Sequence, residues 1–365
     1  MKRSIIFLAT ALSLISATFL FSSCEDIHAP IFYYINNEVA LEEYGIVGDI
    51  SGIIEFNGNL YVNSGRIYKK AAQQSSVTGK FNQQWSKLGS LPGRMFGLAA
   101  DANNLYSIKI TTEQNTSTGT NTNISRQLYY STDGTTWTAI DNTSDVLAVI
   151  NDKYTNAAYA RKADGLYTLS GGTVGGSPAS GTSSTTRSVS NGKFFTGASA
   201  YSSAKAMYYM AEASNPTRIY WSTDGSYADT QYIDPGIGKI LSLEVTSDYL
   251  LVGTERVSTG SGYRGGGIYR IAINSDGSLQ STPTAFSNNA QSLMGTNYSI
   301  TSIFALNNNE NEEATDIYAA ANIEGSFGSS SHATFEDIGL KAYYPARGTW
   351  NRDGTSDRTT TPKGN

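Results

Sequence analysis

Three carboxylic acids lie at or just after segments predicted as buried strands: Glu55 in GIIEFNG, Asp101 in FGLAADA and Glu244 in ILSLEVTS. A pair of carboxylates on opposite sides of a sugar is the arrangement that hydrolyses glycosidic bonds. Spacing along the chain does not show whether these three side chains meet. An acid on an inner strand more often hydrogen-bonds within the fold or faces solvent. Glycoside hydrolysis is therefore kept as an alternative, and no catalytic residue is assigned.

Other site chemistries find little support in the sequence. The chain has two histidines, His28 and His332, and one cysteine, Cys24, so neither a His/Cys metal centre nor a Ser-His-Asp triad can be assembled. Residues 260–265 fit the pattern G-x-G-x-x-G. They precede a predicted strand instead of linking a strand to a helix, so a hairpin loop is favoured over a dinucleotide site. We predict no enzyme activity, cofactor or metal.

The composition favours an all-β fold. Among 365 residues there are 24 Tyr and 36 Gly, only 16% are charged, and 39% are hydrophobic. Tyr and Thr in place of Lys and Glu favour strands over helices. The formal net charge is −5, and Lys and Arg are not clustered, which excludes nucleic acid as an expected partner.

The N-terminal segment has the layout of an export signal. Lys2 and Arg3 precede an uncharged, mostly apolar stretch, residues 4–21, and the sequence FSSC ends at Cys24. This ending resembles a bacterial lipobox in the relaxed form of spirochaete lipoproteins, with Phe21 and Ser23 where Leu and Ala or Gly are usual.

The resemblance implies cleavage before Cys24 and a lipid on its sulfur. Residues 1–23 would then be the signal and residues 24–45 a tether to a membrane, with the outer membrane, at its surface or its periplasmic side, as the expected location. An uncleaved membrane anchor, or an ordinary signal with Cys24 as a bystander, are the alternatives.

Three strand-like runs recur along the chain, and each second run has an aromatic or aliphatic anchor: Tyr61, Tyr106, Tyr159, Tyr208, Leu251 and Tyr318. Four strands repeated every 40 to 50 residues or so are typical of a β-propeller blade. The sequence predicts about six four-stranded blades over residues 46–354 and a disordered tail over residues 355–365. A seventh blade, a pair of β-sandwiches and a solenoid are the competing architectures.

A polar turn recurs between the third and fourth runs. One copy has Ser131, Asp133, Gly134 and Trp137; later, shorter copies have Ser222, Asp224 and Gly225, and then Asp276 and Gly277. It resembles the Asp-box of sialidase-like propellers, one residue short of the usual spacing. The resemblance implies a role in the fold, because Asp, Ser and Gly are typical of turns. The three arginines of sialidases are not matched, since Arg66 and Arg94 lie in other contexts.

Long insertions separate the second and third runs in three units, at residues 111–127, 254–267 and 322–339. In a propeller they share one face, where binding residues tend to lie; as Thr-, Asn-, Ser- and Gly-rich segments they can equally be solvated spacers. The sequence predicts a non-enzymatic binding module for a protein or glycan, with a carbohydrate-active enzyme and a periplasmic assembly scaffold as alternatives. The binding-face candidates are Arg256, Tyr263, Arg264, Phe327, His332 and Phe335.

Overall fold

The computed structural model describes the backbone of most residues after the N-terminal segment. The described residues are 46, 48–73, 85–114, 121–152, 156–179, 198–212, 215–224, 230–259, 262–286, 298–307, 310, 314–322, 338–345 and 348–352, with side chains excluded at 112–124, 258–264, 349 and 352.

Six four-stranded antiparallel sheets form the ring of a β-propeller. Blade 1 contains β1 Gly52–Phe56, β2 Asn59–Asn63, β3 Ile67–Ala71 and β4 Ser86–Lys87. Blade 2 contains β5 Met95–Ala100, β6 Leu105–Gln114, β7 Asn121–Ser131 and β8 Thr138–Ile140. Blade 3 contains β9 Ala148–Asp152, β10 Ala157–Arg161, β11 Leu166–Ser170 and β12 Thr173–Val174.

The second half of the ring repeats this plan. Blade 4 contains β13 Ala198–Ser202, β14 Met207–Glu212, β15 Asn215–Ser222 and β16 Tyr232–Ile233. Blade 5 contains β17 Ile240–Val245, β18 Tyr249–Thr254, β21 Gly267–Ala272 and β22 Thr284–Ala285, with a separate hairpin of β19 Val257–Thr259 and β20 Gly262–Arg264. Blade 6 contains β23 Ser299–Ala305, β24 Ile317–Asn322, β25 Gly339–Tyr344 and β26 Thr349–Arg352.

The six-bladed architecture predicted from the repeats is confirmed, and one local prediction needs correction. The fourth strand of blade 3 has only two residues, Thr173–Val174. The first long insertion, expected as a loop, is largely a β-hairpin: β6 and β7 stay paired from Leu105 opposite Ser131 to Gln114 opposite Asn121. Thr is β-branched, so a Thr-rich insertion can extend a strand pair.

The antiparallel order gives the ring two faces. Connections between the first and second strands, and between the third and fourth, lie on one side, called here the turn face. Connections between the second and third strands, and from each blade to the next, lie on the other side, called the loop face. The innermost strand of each blade begins at the loop face and ends at the turn face.

The core lies in the seams between blades. Each of five seams contains its own hydrophobic cluster, to which both neighbouring blades contribute side chains. At the seam of blades 3 and 4, the described residues instead form two separate clusters, one around Tyr159 and Leu166 and one around Tyr208, Met210 and Tyr220.

Among the described residues, each blade is one continuous stretch of chain, so blades 6 and 1 meet there by side-chain packing and not by strand exchange. Lys70 of β3 is buried, and its Nζ lies 4.6 Å from the ring centre of Trp85 and 4.5 Å from that of Tyr318 in blade 6. Tyr344, also of blade 6, is 5.9 Å away. The backbone N–H of Leu340 donates to the carbonyl of Ile46 at the same seam. A cation against aromatic faces is strongest when water is excluded.

Replacing Lys70 should therefore weaken ring closure. We expect Lys70→Ala to lower the free energy of unfolding by about 2 kcal/mol or more, measured by urea denaturation. The control is Lys69→Ala, which removes the neighbouring, only partly buried lysine of the same strand and should change stability by less than about 0.5 kcal/mol. Equal losses in the two variants would show that the aromatic contacts of Lys70 do not stabilise the closing seam.

Candidate functional site

The Asp133 carboxylate organises the turn between β7 and β8 on the turn face. Its Oδ1 accepts hydrogen bonds from the backbone N–H groups of Thr135 and Thr136, both at 2.7 Å, and from the Ser131 hydroxyl at 2.9 Å. The donated backbone N–H bonds hold the pKa of Asp133 well below its usual range. The Asp133 carboxylate is exposed, but its hydrogen bonds hold it within its own turn. It is therefore not placed to transfer a proton to a substrate.

Gly134 fits this turn against the neighbouring blade. Its φ is +71°, and an added Cβ would lie 2.0 Å from the Tyr61 hydroxyl of blade 1. Burial, and then the nearby Asp133 charge, raise the pKa of Tyr61. Trp137 packs against the hydrophobic cluster of the same seam. The turn therefore joins blades 1 and 2.

Similar contacts recur around the ring. In blade 5, Asp276 accepts from the hydroxyl and N–H of Ser278 at 2.7 and 2.9 Å, which lowers its pKa. The carbonyl of Gly277 accepts from the buried hydroxyl of Tyr209 in blade 4 at 2.9 Å. In blade 4, the Ser222 hydroxyl donates to Asp224 at 2.7 Å, while Gly225 lies outside the described residues.

The three carboxylates considered for glycoside hydrolysis have separate surroundings. Asp101 holds its own turn: it accepts from the N–H groups of Asn103 and Asn104 and from the Tyr106 hydroxyl, all at 2.7 Å. Glu244 is buried and accepts from the N–H of Val245 at 3.1 Å. Glu55 is exposed near the turn-face end of β1. In the described structure, Asp101 and Glu244 have structural contacts, and no pair of these acids is shown facing a common cleft.

The loop face carries two β-hairpins on opposite sides of the six-bladed ring. One is the extension of β6 and β7 in blade 2, and the other is the β19–β20 hairpin in blade 5. Of the predicted binding residues, Tyr263 and Arg264 lie in β20, where only the backbone is described. Phe327, His332 and Phe335 in the blade 6 insertion, and the lipidation candidate Cys24, lie outside the described residues.

Arg256 is predicted from the sequence as a displayed loop residue, but the structure places it at the base of the blade 5 hairpin. It is only 6% exposed, and its backbone N–H donates to the Ser299 hydroxyl at 3.0 Å. That bond joins blade 5 to the start of the blade 6 inner strand. Burial of the side chain makes Arg256 a support for the hairpin and removes it from the ligand-facing surface.

Three large apolar side chains are exposed in the described structure, and all three lie on the loop face. Phe96 near the start of β5 is 45% exposed, Leu147 just before β9 is 39% exposed, and Val257 in β19 is 43% exposed. The sequence analysis does not predict that these residues are exposed, because in sequence each is an ordinary apolar residue at the end of a strand. Exposed apolar side chains on one face indicate an interaction surface more than isolated ones do.

The two faces also differ in charge. Carboxylates lie on both faces: Asp101, Asp133, Asp152, Asp224, Asp248, Asp276 and Glu310 on the turn face, and Asp49, Asp141, Asp164, Glu212 and Asp234 among those on the loop face. The loop face carries cations, at Arg66, Arg94, Lys109, Arg126, Lys162 and Lys239, together with acids such as Asp145 and Glu255 that pair with Lys162 and Lys239. The loop face is therefore the less acidic of the two.

The residues that the structure describes contain neither a candidate metal site nor a candidate membrane-spanning helix. Among them, no group of three His, Cys, Asp or Glu side chains is placed to hold a metal ion. The same residues include no helix with the length and apolar character needed to cross a membrane.

Comparison with known proteins identifies no family for this chain. No protein-family model and no curated protein matches the chain. The PQQ-bound aldose sugar dehydrogenase of Streptomyces coelicolor is 11% identical, covers 84% of this chain and 96% of its own, and has a TM-score of 0.48. The structure of YjhT is 11% identical over 78% of this chain and 94% of its own, with a TM-score of 0.46.

A glycoside hydrolase family 43 protein, the K247S mutant of BlXynB from Bacillus licheniformis, is 13% identical over 71% of this chain and 63% of its own, with a TM-score of 0.34. At these identities and scores the similarities identify no activity. Strand pairing and the ring of six blades establish the fold as a six-bladed β-propeller.

Substitution of Gly134 tests the seam contact. Gly134→Ala should destabilise the protein by about 2 kcal/mol more than Gly58→Ala, because both residues have a positive φ but only Gly134 faces a neighbouring side chain. Gly58 has φ +66° with no atom near the added Cβ, so its substitution measures backbone strain alone, about 1 kcal/mol. Urea denaturation compares the variants, and equal losses would contradict the packing role of the turn.

Proposed function

We propose that this propeller is a non-enzymatic binding module of the bacterial cell envelope and that its loop face is the binding surface. The observation that carries the proposal is the placement of Phe96, Leu147 and Val257: in the described structure, every large exposed apolar side chain lies on that face. Two hairpins rise from the same face, in blades 2 and 5. Binding residues commonly lie on connections that a rigid framework positions.

The turn face has a different role in this proposal. Its Ser-Asp-Gly turns resemble Asp-boxes, and their side chains are used within the turns and at the blade seams. Residues that hold the ring together are poorly placed to adapt to a ligand. In this proposal the turn face stabilises the ring, and the loop face binds the ligand.

We further propose that Cys24 carries a lipid that holds the protein on a membrane, with the outer membrane as the expected site. The support is the order of a positively charged start, an uncharged apolar stretch and a cysteine. More than one acyl chain on Cys24 would give stable anchoring without a membrane-spanning segment.

Cys24→Ser tests the anchor. In a bacterial host the wild-type protein should sediment with membranes and be released by detergent, because its acyl chains partition into lipid. The serine variant should lack the lipid, detected by mass spectrometry of the N-terminal peptide. A lipid-free wild-type protein would contradict the proposal, as would a Cys24→Ser variant that remains equally lipidated.

Shortening the loop-face hairpins tests the binding surface. Residues 112–124 and 257–264 are each replaced by Asn-Gly, which favours a tight hairpin turn. The variant should keep the wild-type unfolding midpoint, because the pairing of β6 with β7 up to Thr111 and of β18 with β21 is left intact, and should lose binding to native outer-membrane preparations.

The matched control replaces residues 308–313, which connect the first two strands of blade 6 on the turn face, by the same dipeptide. This control should bind like the wild type. Loss of binding in the control but not in the loop-face variant would assign the partner to the turn face and overturn the proposal. Hydrolysis of a glycoside substrate panel by the wild type, abolished in Glu55→Gln or Glu244→Gln, would favour the enzymatic alternative.

A further inference from the structure

Phe96 and Leu147 both lie at the loop-face end of the seam between blades 2 and 3. Phe96 pairs with Ile108, whose side chain belongs to the blade 2–3 cluster, so Phe96 lies on the side of blade 2 that faces blade 3. Leu147 lies two residues before Val149, which belongs to the same cluster and whose Cγ2 is 3.0 Å from the Cβ position of Gly97. The two exposed side chains together form a small apolar notch, called here the 96/147 notch.

Part of the inner edge of the blade 2 hairpin has no strand partner among the described residues. β5 pairs with β6 only from Leu105 to Lys109, and one further bond joins the Ile110 N–H to the Arg94 carbonyl. Beyond that point, over residues 111–114, no described strand pairs with the inner edge of β6. An unpaired edge of this kind can accept an extended peptide as an added strand.

Cations lie on the other side of the same edge. Lys109 pairs with Met95, which belongs to the blade 1–2 cluster, so Lys109 lies on the side of blade 2 that faces blade 1. The Arg94 side chain extends toward blade 1, where its Nε is 3.2 Å from the Cβ position of Gly65. Neither cation has an ion-pair partner in the described part of the chain.

Successive side chains of an added strand point to opposite sides of the sheet. On this edge, one set would point toward the 96/147 notch and the alternate set toward Arg94 and Lys109. We infer that the inner edge of the blade 2 hairpin binds an extended peptide in which apolar residues alternate with Asp or Glu. The inference rests on the proposed function, since it names the partner chemistry for one part of the loop face.

An oligosaccharide fits these observations less well. The notch consists of a phenyl ring and an aliphatic side chain, and the charged side chains on the other side of the same edge are the cations Arg94 and Lys109, which suit carboxylates better than the neutral hydroxyls of a sugar. A strand edge offers backbone N–H and C=O groups in the spacing of another strand, which a sugar does not match.

The test uses the full-length protein in detergent and short fluorescein-labelled peptides, with fluorescence anisotropy as the readout. The main probe alternates Asp with Leu. One control peptide has Lys in place of Asp, a second has Ser in place of Leu, and a third is the Asp/Leu peptide N-methylated along one edge. We expect the Asp/Leu peptide to bind and each control to bind about tenfold more weakly or worse. Added salt should weaken binding, because the cations are exposed.

Protein variants locate the binding. Phe96→Ser combined with Leu147→Ser, and separately Arg94→Gln combined with Lys109→Gln, should each weaken binding by about tenfold or more. Lys87→Gln is the control, since it removes an exposed cation from β4, the outermost strand of blade 1, and it should leave affinity unchanged. Unfolding midpoints equal to that of the wild type show that the variants are folded.

Four results would overturn the inference: no binding of the Asp/Leu peptide, equal binding of the Lys/Leu peptide, full binding by the Phe96/Leu147 variant, or Phe96-dependent binding of a neutral oligosaccharide. If the peptide fails to bind while hairpin shortening still removes binding to outer-membrane preparations, the partner chemistry is wrong and the loop-face function stands. If shortening the hairpins also has no effect, the proposed function falls with it.

Discussion

Closure of the ring is the constraint on which the rest of this structure depends. In the part of the chain that the structure describes, each of the six blades is a continuous stretch of chain, so no strand shared between the first and last blades locks the ring there. The closing seam relies on side chains: Lys70 between Trp85 and Tyr318, with the surrounding cluster and the Leu340–Ile46 hydrogen bond. Burying a lysine is costly unless its charge is compensated, and the aromatic faces provide part of that compensation.

The same requirement explains the chemistry of the turn face. In a turn that carries Asp and Gly, the Asp carboxylate accepts hydrogen bonds from the backbone N–H groups of the turn. The Gly has no side chain, which leaves room for a tyrosine of the preceding blade. Gly134 against Tyr61 and Gly277 against Tyr209 and Met207 are two examples. These polar turns therefore connect neighbouring blades. Most of the carboxylates that the sequence offers as catalytic candidates accept hydrogen bonds within the fold. The loop face also joins blades, as in the bonds from Arg256 to Ser299 and from Asn63 to Gly97, but its connections differ in length and some of its apolar side chains are exposed while the ring stays intact.

The fold is predictable because its signals are local. Alternating strands, Asn-Gly and Asp-Gly turns and second-strand tyrosines repeat with the blade period, and these survive large differences in loop length. The fourth strand of blade 3 is hard to find because a two-residue strand has too few positions to show a pattern. The blade 2 insertion resembles a loop in sequence because its Thr- and Asn-rich segment has no clear apolar face, although backbone pairing alone extends the hairpin.

The candidate site is less predictable, because exposure at a blade end depends on distant residues. Arg256 is buried next to Ser299, 43 positions later in the chain, and no local pattern reports that contact. Phe96 belongs to an inner strand whose other apolar residues are buried. Met95, one residue earlier, is buried against blade 1, so the start of the strand alone does not decide which side chain is exposed. The repeat pattern places the insertions on one face but does not identify the apolar side chains that the structure displays there.

The central claim is that the loop face is where this protein meets its partner, and site-specific photo-crosslinking in living cells tests it most directly. A photoreactive phenylalanine analogue replaces Phe96 on the loop face or, for comparison, Lys205 in the first turn of blade 4 on the turn face. The account predicts a discrete crosslinked product from position 96 and none from position 205. Crosslinking from position 205 alone would show that the partner binds the turn face and would contradict the account.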